Sequence, residues 1–480
     1  MIEIDKVIIG YDNIHDTMFD MIRISEKYCF ISSFELDIEF MYKKNMSLKK
    51  EIQQALERGV IFYIIVSALC LNSISQKPLQ ELKQKFPSLL HIKIHHSRDQ
   101  DKKFFHNTFQ YWINTLQQLP YLNTLLLPFH NKSFAGIHSR FVYNEKQLLV
   151  CGGNYSKKYS GCINRINNTY NYAWFDSSLL LNCSSSILTT DILNIYNDNY
   201  NTISYPLICS GVKHYNYIIY EILNSKHEIF FVNQYFFSNN KLTQNKISEV
   251  LIERIVRAIQ NEEMFHTTLI INKENIDDEI SVFRNYKLYS ISIITHYSIQ
   301  HLIQTICKKT HISISKLNNY LSIFSPINNG KNIIVHNKVF MFDEKKCLFT
   351  SANIYDASFY SKGQQEFGYI TTNESQCKKI KSSVPYELFK KLDLDFESHY
   401  QYIPFYFINN TIFFNTIGKL ILIFTFVFAP LHHDISSNLF FTWFLYMFIR
   451  PKEYTCDNID LLDMKQNPFP NLIDNKYIET

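Results

Sequence analysis

The stretch that decides the fold runs from Ile334 to Glu344 and reads "IVHNKVFMFDE". It is apolar except for His336, Asn337, Lys338 and a closing acidic pair, and its β-branched and aromatic residues predict a strand. Side chains alternate along a strand, so His336, Lys338 and Phe340 are expected on one face and Val335, Val339 and Met341 on the other. An ammonium group in an apolar strand needs a reason, because burying a charge without a partner is expensive.

The pattern occurs a second time. "IHSRFVYNEKQLLVCGGN" places His138, Arg140 and Glu145 at the offsets of two and seven that separate His336 from Lys338 and Asp343. With 17 His, 48 Lys+Arg and 44 Asp+Glu in 480 residues, roughly 0.15 such relaxed matches are expected by chance, so a pair points to function. The continuations agree as well: Gly152, Gly153 and Asn154 follow the first site, and Thr350, Ser351 and Asn353 the second. Small residues there allow a backbone to approach a ligand closely.

The repetition extends upstream. "FDMIRISEKYCFISSFELD" and "IIYEILNSKHEIFFVNQYFFS" each read as a helix, a break and an apolar strand. "SLKKEIQQALERGVIFYIIVS" and "KISEVLIERIVRAIQNEEMFHTTLIIN" each read as an amphipathic helix leading into a strand, with Gly59 where a helix C-terminus is expected. Phe30 and Phe230 are 200 residues apart and His138 and His336 are 198 apart, the spacing a duplication leaves. The fold class is therefore α/β: two similar halves, each a mixed sheet flanked by helices, packed around one shared site. Residues 1–200 and 201–400 are assigned to the halves, joined near "NDNYNTISYPLICSG".

Composition narrows the class. A 46% hydrophobic chain of net charge +4 has material for a large core and is not a coat for nucleic acid. Ten cysteines without a CxxC pair predict reduced, buried thiols in an intracellular protein and no metal site or disulfide framework, and the N-terminus lacks a secretory pattern.

These motifs are similar to those of the phospholipase D superfamily, whose members carry two HxKxxxxD motifs that meet at one active site. The resemblance covers roughly residues 8 to 395 and is strongest to the eukaryotic-type branch. "VNQYFFS" resembles its ENQYF strand, "SANIYDASFYSKGQQEFGYI" its GSANINDRSMLGxRDSE segment, and "YAWFD", with Trp174 and Asp176, its WHD segment. Arg140 and Glu145 depart from the first motif, Thr350 stands where the family has Gly, and no FxxRWN segment follows Asp191.

The resemblance implies a phosphodiesterase working without cofactor or metal, with His138 as nucleophile and His336 as general acid and then base. It implies that Arg140, Lys338, Asn154, Asn353 and Ser351 bind the phosphoryl group, that Asp343 and Glu145 support the site, and that Glu366 holds the first histidine in its tautomer. The expected substrate is a glycerophospholipid such as phosphatidylcholine in a membrane, with water or a small alcohol as acceptor. Nucleic acid is less favoured. A nuclease, a cardiolipin synthase-like phosphatidyltransferase and a weakened envelope-type pseudoenzyme stand as alternatives.

Beyond about Tyr402 the character changes. "TIFFNTIGKLILIFTFVFAP" and "LFFTWFLYMFIRPK" form an apolar segment, residues 401–455, followed by a polar tail, 456–480. The first run contains Asn415 and Lys419 and the second is short for a span, so an interfacial or re-entrant anchor within 411–450 is expected, with Trp443 and Tyr446 near headgroups. A buried helical hairpin is the competing expectation.

Overall fold

The structure is a computed structural model. It describes residues 2–39, 41–43, 46–67, 73–95, 137–151, 154–155, 172–183, 186–238, 245–272, 286–326, 332–359 and 365–394. The apolar segment 401–455, the tail, and Gly152 and Gly153 lie outside them.

Two sheets carry the chain. The first has the strand order Ile2–Ile9, Ser177–Cys183, Gln147–Cys151, Phe141–Asn144, Tyr28–Ser33, Ile61–Ser67, Leu90–His95. The second runs Leu207–Cys209, Phe367–Thr371, Lys346–Thr350, Val339–Phe342, Glu228–Asn233, His266–Ile271, Leu321–Pro326, and adds Phe389–Lys391 at its edge. Apart from that last strand the two orders are the same when strands are ranked along the chain. Both sheets are mixed, with parallel pairing of Tyr28–Ser33 to Ile61–Ser67 and of Glu228–Asn233 to His266–Ile271. The duplication expected from the sequence is thus present in three dimensions.

Local physics explains the helices that link the parallel strands. In Leu48–Glu57 the buried residues Leu48, Ile52, Ala55 and Leu56 recur at helical spacing. Ser47 caps the helix by accepting from the Lys50 N–H, and Gly59 takes φ +89° just past its end. The counterpart Ile247–Gln260 buries Val250, Leu251, Ile255 and Ala258.

The core has three layers. One cluster, including Ile14, Met18, Ile52 and Ile64, lies under the helices of the first half, and another, including Ile218, Leu251, Phe231 and Phe340, under those of the second. The third joins residues of both sheets, among them Phe30, Phe141, Phe230, Val335, Val339 and Met341. Each sheet therefore has helices on one face and the other sheet on its second face. Alternation sorts the strands: Phe230 enters the central layer while Ile229 and Phe231 enter the outer one.

The opening stretch is not one strand. Asn332–Val335 pairs in parallel with Tyr172–Phe175 of the other half, and Val339–Phe342 belongs to the second sheet, with His336 to Lys338 irregular between them. The expected sharing of a face by His336, Lys338 and Phe340 is therefore corrected, because a break between two sheets resets the alternation. The side chain of Asn272 clamps the crossing by bonding both backbone groups of Val335 and the carbonyl of Gln234.

Candidate active site

The two histidines are set by reciprocal exchange between the halves. The His138 N–H donates to the Gln365 carbonyl beside the Ile137–Gln365 bridge, and the His336 N–H donates to the Phe175 carbonyl at the end of the cross-half strand pair. The residue after each acceptor is a carboxylate, so pairing the backbones delivers Glu366 to His138 and Asp176 to His336. His138 Nδ1 lies 3.1 and 2.9 Å from the Glu366 oxygens, and His336 Nδ1 lies 2.9 Å from Asp176 Oδ2. With Nδ1–H given to a carboxylate, each ring turns a basic Nε2 toward chemistry.

All four groups are buried, and the environments of the pairs differ. Glu366 also accepts from the hydroxyls of Ser351 and Ser358. Burial pushes its carboxyl up, but the adjacent His138 and these hydroxyls together hold it below the usual range. Burial, reinforced by Arg140 and opposed by Glu366, lowers His138 to about 4. That direction favours the neutral imidazole. Asp176 accepts from the Tyr11 hydroxyl and the Ser177 N–H, each at 2.9 Å. Burial nevertheless raises it to about 6, against the lowering effects of Lys338, Tyr11 and Arg140.

The two cations stand beside the rings. Arg140 Nη2 lies 2.7 Å from His138 Nε2, while its Nε donates to Asn154 Oδ1 at 2.7 Å. Lys338 Nζ donates to Gln234 Oε1 at 3.0 Å and to the His336 carbonyl. Burial first, and Arg140 second, push Lys338 well below the ordinary lysine value. Asn353 Oδ1 is buried without a partner among the described residues. The Phe34 ring meets His138 edge-on at 5.6 Å.

Three sequence assignments change. Asp343 does not join the cluster: its carboxylate accepts from the backbone N–H groups of Lys226, His227 and Glu228, at 2.7–3.1 Å. Glu145 does the same in the first half, accepting from Glu26 and Tyr28. Both follow the strand whose start is near the histidine, so the seven-residue offset spans on the order of 20 Å along extended chain. Their work is to tie a helix-to-strand turn to a hairpin. Ser351 is also reassigned, since its hydroxyl supports Glu366 and accepts from the Phe367 N–H rather than pointing to a substrate.

No family model matches the chain. Residues of this chain are 24% identical over 189 positions to "Phospholipase D" of Phytophthora infestans, covering 34% of this chain and 10% of that protein. "Phospholipase D1" of Cricetulus griseus is 24% identical over 202 residues, 37% of this chain and 19% of that protein. The matched region is thus at most a fifth of either relative's length. Among solved structures, "phosphatidylserine synthase Haemophilus influenzae Rd KW20" superposes with TM-score 0.51 at 10% identity over 81% of this chain and 88% of that one. The chain is thus similar in part of its sequence to phospholipases D, and its duplicated α/β fold is that of the phosphatidylserine synthase.

The departure at Thr350 from the pattern that the sequence resembles is absorbed locally. Its hydroxyl donates to the Phe367 carbonyl and accepts from the Ala352 N–H. A Cβ on Gly368, its neighbour across the ladder, would come within 3.0 Å of Thr350 Cβ. The glycine opposite makes room for the threonine. Sequence reasoning had named Asp176 only as part of "YAWFD" and Gln234 only as part of "VNQYFFS", without a role for either, and had missed Tyr11 and Asn272. The cue for both was the resemblance of those stretches to family segments; nothing in the local pattern singles out Tyr11 or Asn272.

Proposed function

We propose that the chain is a phosphodiesterase of the phospholipase D type that hydrolyses glycerophospholipids, releasing choline and phosphatidic acid from phosphatidylcholine. The observation that carries this reading is the pair of buried histidines, each with Nδ1 on a carboxylate from the opposite half and flanked by Arg140 and Lys338.

A phosphodiester anion repels nucleophiles, so cations must first neutralise its oxygens. A phosphoryl oxygen competes for the Arg140 guanidinium, and as it takes that group the His138 Nε2 lone pair is exposed to phosphorus. The Nε2–P bond forms, the P–O bond to the leaving alcohol breaks, and His336 Nε2–H gives its proton to the departing oxygen. Glu366, held ionised, then faces the positive charge of the phosphorylated ring. In the second step His336 takes a proton from water, the water oxygen bonds to phosphorus, and the P–N bond returns its electrons to His138. An alcohol replacing water gives phosphatidyl transfer.

Lipid is favoured over nucleic acid by the similarity to phospholipases D and by the near-balanced charge of +4. We include membrane attachment through residues 411–450 in the proposal. Among the described residues no helix is long and apolar enough to cross a membrane, and the segment lies outside them. A weakened site is the second reading, favoured by one observation: a permanently charged guanidinium sits on the nucleophilic nitrogen.

Choline release from phosphatidylcholine vesicles, run beside exonuclease digestion of single-stranded DNA, tests the proposal. Lipid turnover is expected, lost by about 10³-fold or more in His138→Asn and in His336→Asn. DNA cleavage alone would overturn the lipid assignment, and no turnover of either would leave the weakened site. Flotation with liposomes, lost on deleting residues 411–450, is the expected sign of the anchor.

A further inference from the structure

Tyr11 is the first residue of the helix Tyr11–Ile24 and is fully buried. Gly10 takes φ +85°, a conformation glycine adopts without strain, and its N–H donates to the Asp176 carbonyl at 2.9 Å. The turn from strand to helix is thereby fastened to Asp176, and the phenol is carried over its carboxylate. The Tyr11 hydroxyl lies 2.9 Å from Asp176 Oδ2 and 3.4 Å from His336 Nδ1. Oδ2 is the same oxygen that receives the His336 ring.

A buried phenol generally finds an acceptor, and that alone would explain a hydrogen bond. The comparison of halves goes further. The helix matching Tyr11–Ile24 is Gly211–Asn224, also 14 residues and also preceded by a positive-φ residue, Ser210. Gly211 therefore occupies the place of Tyr11. A Cβ there would come within 2.0 Å of the Ser358 carbonyl oxygen, because the turn around Asp356–Phe359 fills the space. That turn brings the Ser358 hydroxyl to Glu366, the carboxylate of the other histidine. Both halves thus place a hydroxyl on the histidine's carboxylate, one from a helix start and one from an unrelated turn. Independent delivery of a hydroxyl to the carboxylate of each histidine is what a shared requirement of the chemistry produces.

We propose that Tyr11 is the positioning residue of the acid–base histidine: its hydroxyl holds Asp176 as the acceptor for His336 Nδ1–H, fixing the tautomer that leaves Nε2 to serve the leaving oxygen. This rests on the phosphodiesterase reading for its catalytic consequence, while the geometry it invokes is independent of substrate. The groups acting on Asp176 are Tyr11 from the helix, the Ser177 N–H on its own strand, His336 from the crossing strand, and the charges of Lys338 and Arg140. Tyr11 and the Ser177 N–H are its neutral donors, and removing Tyr11 makes protonated Asp176 easier to form. A protonated Asp176 releases the His336 tautomer.

The test is Tyr11→Phe, which keeps the ring in the core and deletes the hydroxyl. Turnover of phosphatidylcholine should show its acid limb displaced upward by about one pH unit, with KM changed less than about twofold. In parallel, nitrogen NMR of labelled histidines, with His336→Asn to assign the signal, should show the His336 Nδ1–H resonance lost at a correspondingly higher pH. Site-specific 3-fluorotyrosine at position 11, a stronger donor, should move both in the opposite direction, which keeps the question answerable if the phenylalanine variant folds poorly. A lowered kcat with neither pH response displaced would reduce Tyr11 to packing and overturn the proposal. Displaced NMR behaviour in a protein without turnover would sink the phosphodiesterase reading and leave the positioning role standing.

Discussion

Replacing Asp343 with Asn separates a motif residue from the chemistry its motif suggests. The carboxylate accepts from three consecutive backbone N–H groups, those of Lys226, His227 and Glu228. An amide oxygen in the place of Oδ1 still meets all three donors, but an NH2 replaces Oδ2 opposite the Lys226 N–H and every bond loses its charged acceptor. Hydrogen bonds to a charged group are each worth about 1.5–3 kcal/mol when buried and less at a part-exposed turn, which puts the loss at roughly 2 kcal/mol. Asp343 has φ +54°, a conformation asparagine tolerates, so backbone strain adds little. Unfolding entropy near 2.1 cal/mol/K per residue over the ~390 residues of both halves gives ~0.8 kcal/mol/K, so Tm should fall by about 2–3 °C. Turnover of phosphatidylcholine, measured well below Tm, should stay within about twofold of the parent. A loss of about 100-fold in kcat with Tm unchanged would refute the reasoning and return Asp343 to the active site.

Arg140→Lys removes the guanidinium from His138 Nε2, where it makes a 2.7 Å contact. Because that contact is a ground-state cost of roughly 1 kcal/mol to the nucleophile, kcat should rise about 3–10-fold. His138 should also become more reactive to diethylpyrocarbonate by peptide mass spectrometry, and a tenfold fall in kcat would instead mean that the site is built around the guanidinium. His15, buried near Tyr11 and Tyr155, is lowered to about 4, first by burial and against the raising effect of Asp16. The unfolded chain then binds a proton between about pH 6.5 and 4 that the folded chain does not. Stability should therefore fall as pH drops through that window, and His15→Phe should flatten the slope by up to one proton. Urea titrations at pH 7 and 5 measure it; an unchanged slope would mean that His15 is charged in the folded chain.

Much of the architecture was legible because it is written as periodicity. The helices Leu48–Glu57 and Ile247–Gln260 show their buried faces at helical spacing, and their strands show apolar runs. Both histidines were legible because their short patterns recur in equivalent contexts. Asp343 and Glu145 misled for a physical reason: seven residues of strand carry a side chain far from the histidine that begins the count. The break at His336 escaped notice because a strand that changes sheets keeps the same composition on both sides of the break.

From its residues alone the chain determined two α/β halves and marked His138 and His336 as equivalent positions in them, since periodicity and recurrence are local and survive in one dimension. Tertiary structure decided which carboxylate each histidine receives. Glu366 serves His138 from 228 positions away and Asp176 serves His336 from 160, distances at which sequence carries no geometry. It also decided that Tyr11 stands over Asp176, because the pairing of Ile2–Ile9 with Ser177–Cys183 in the first sheet brings the start of the following helix to that carboxylate across 165 positions of sequence.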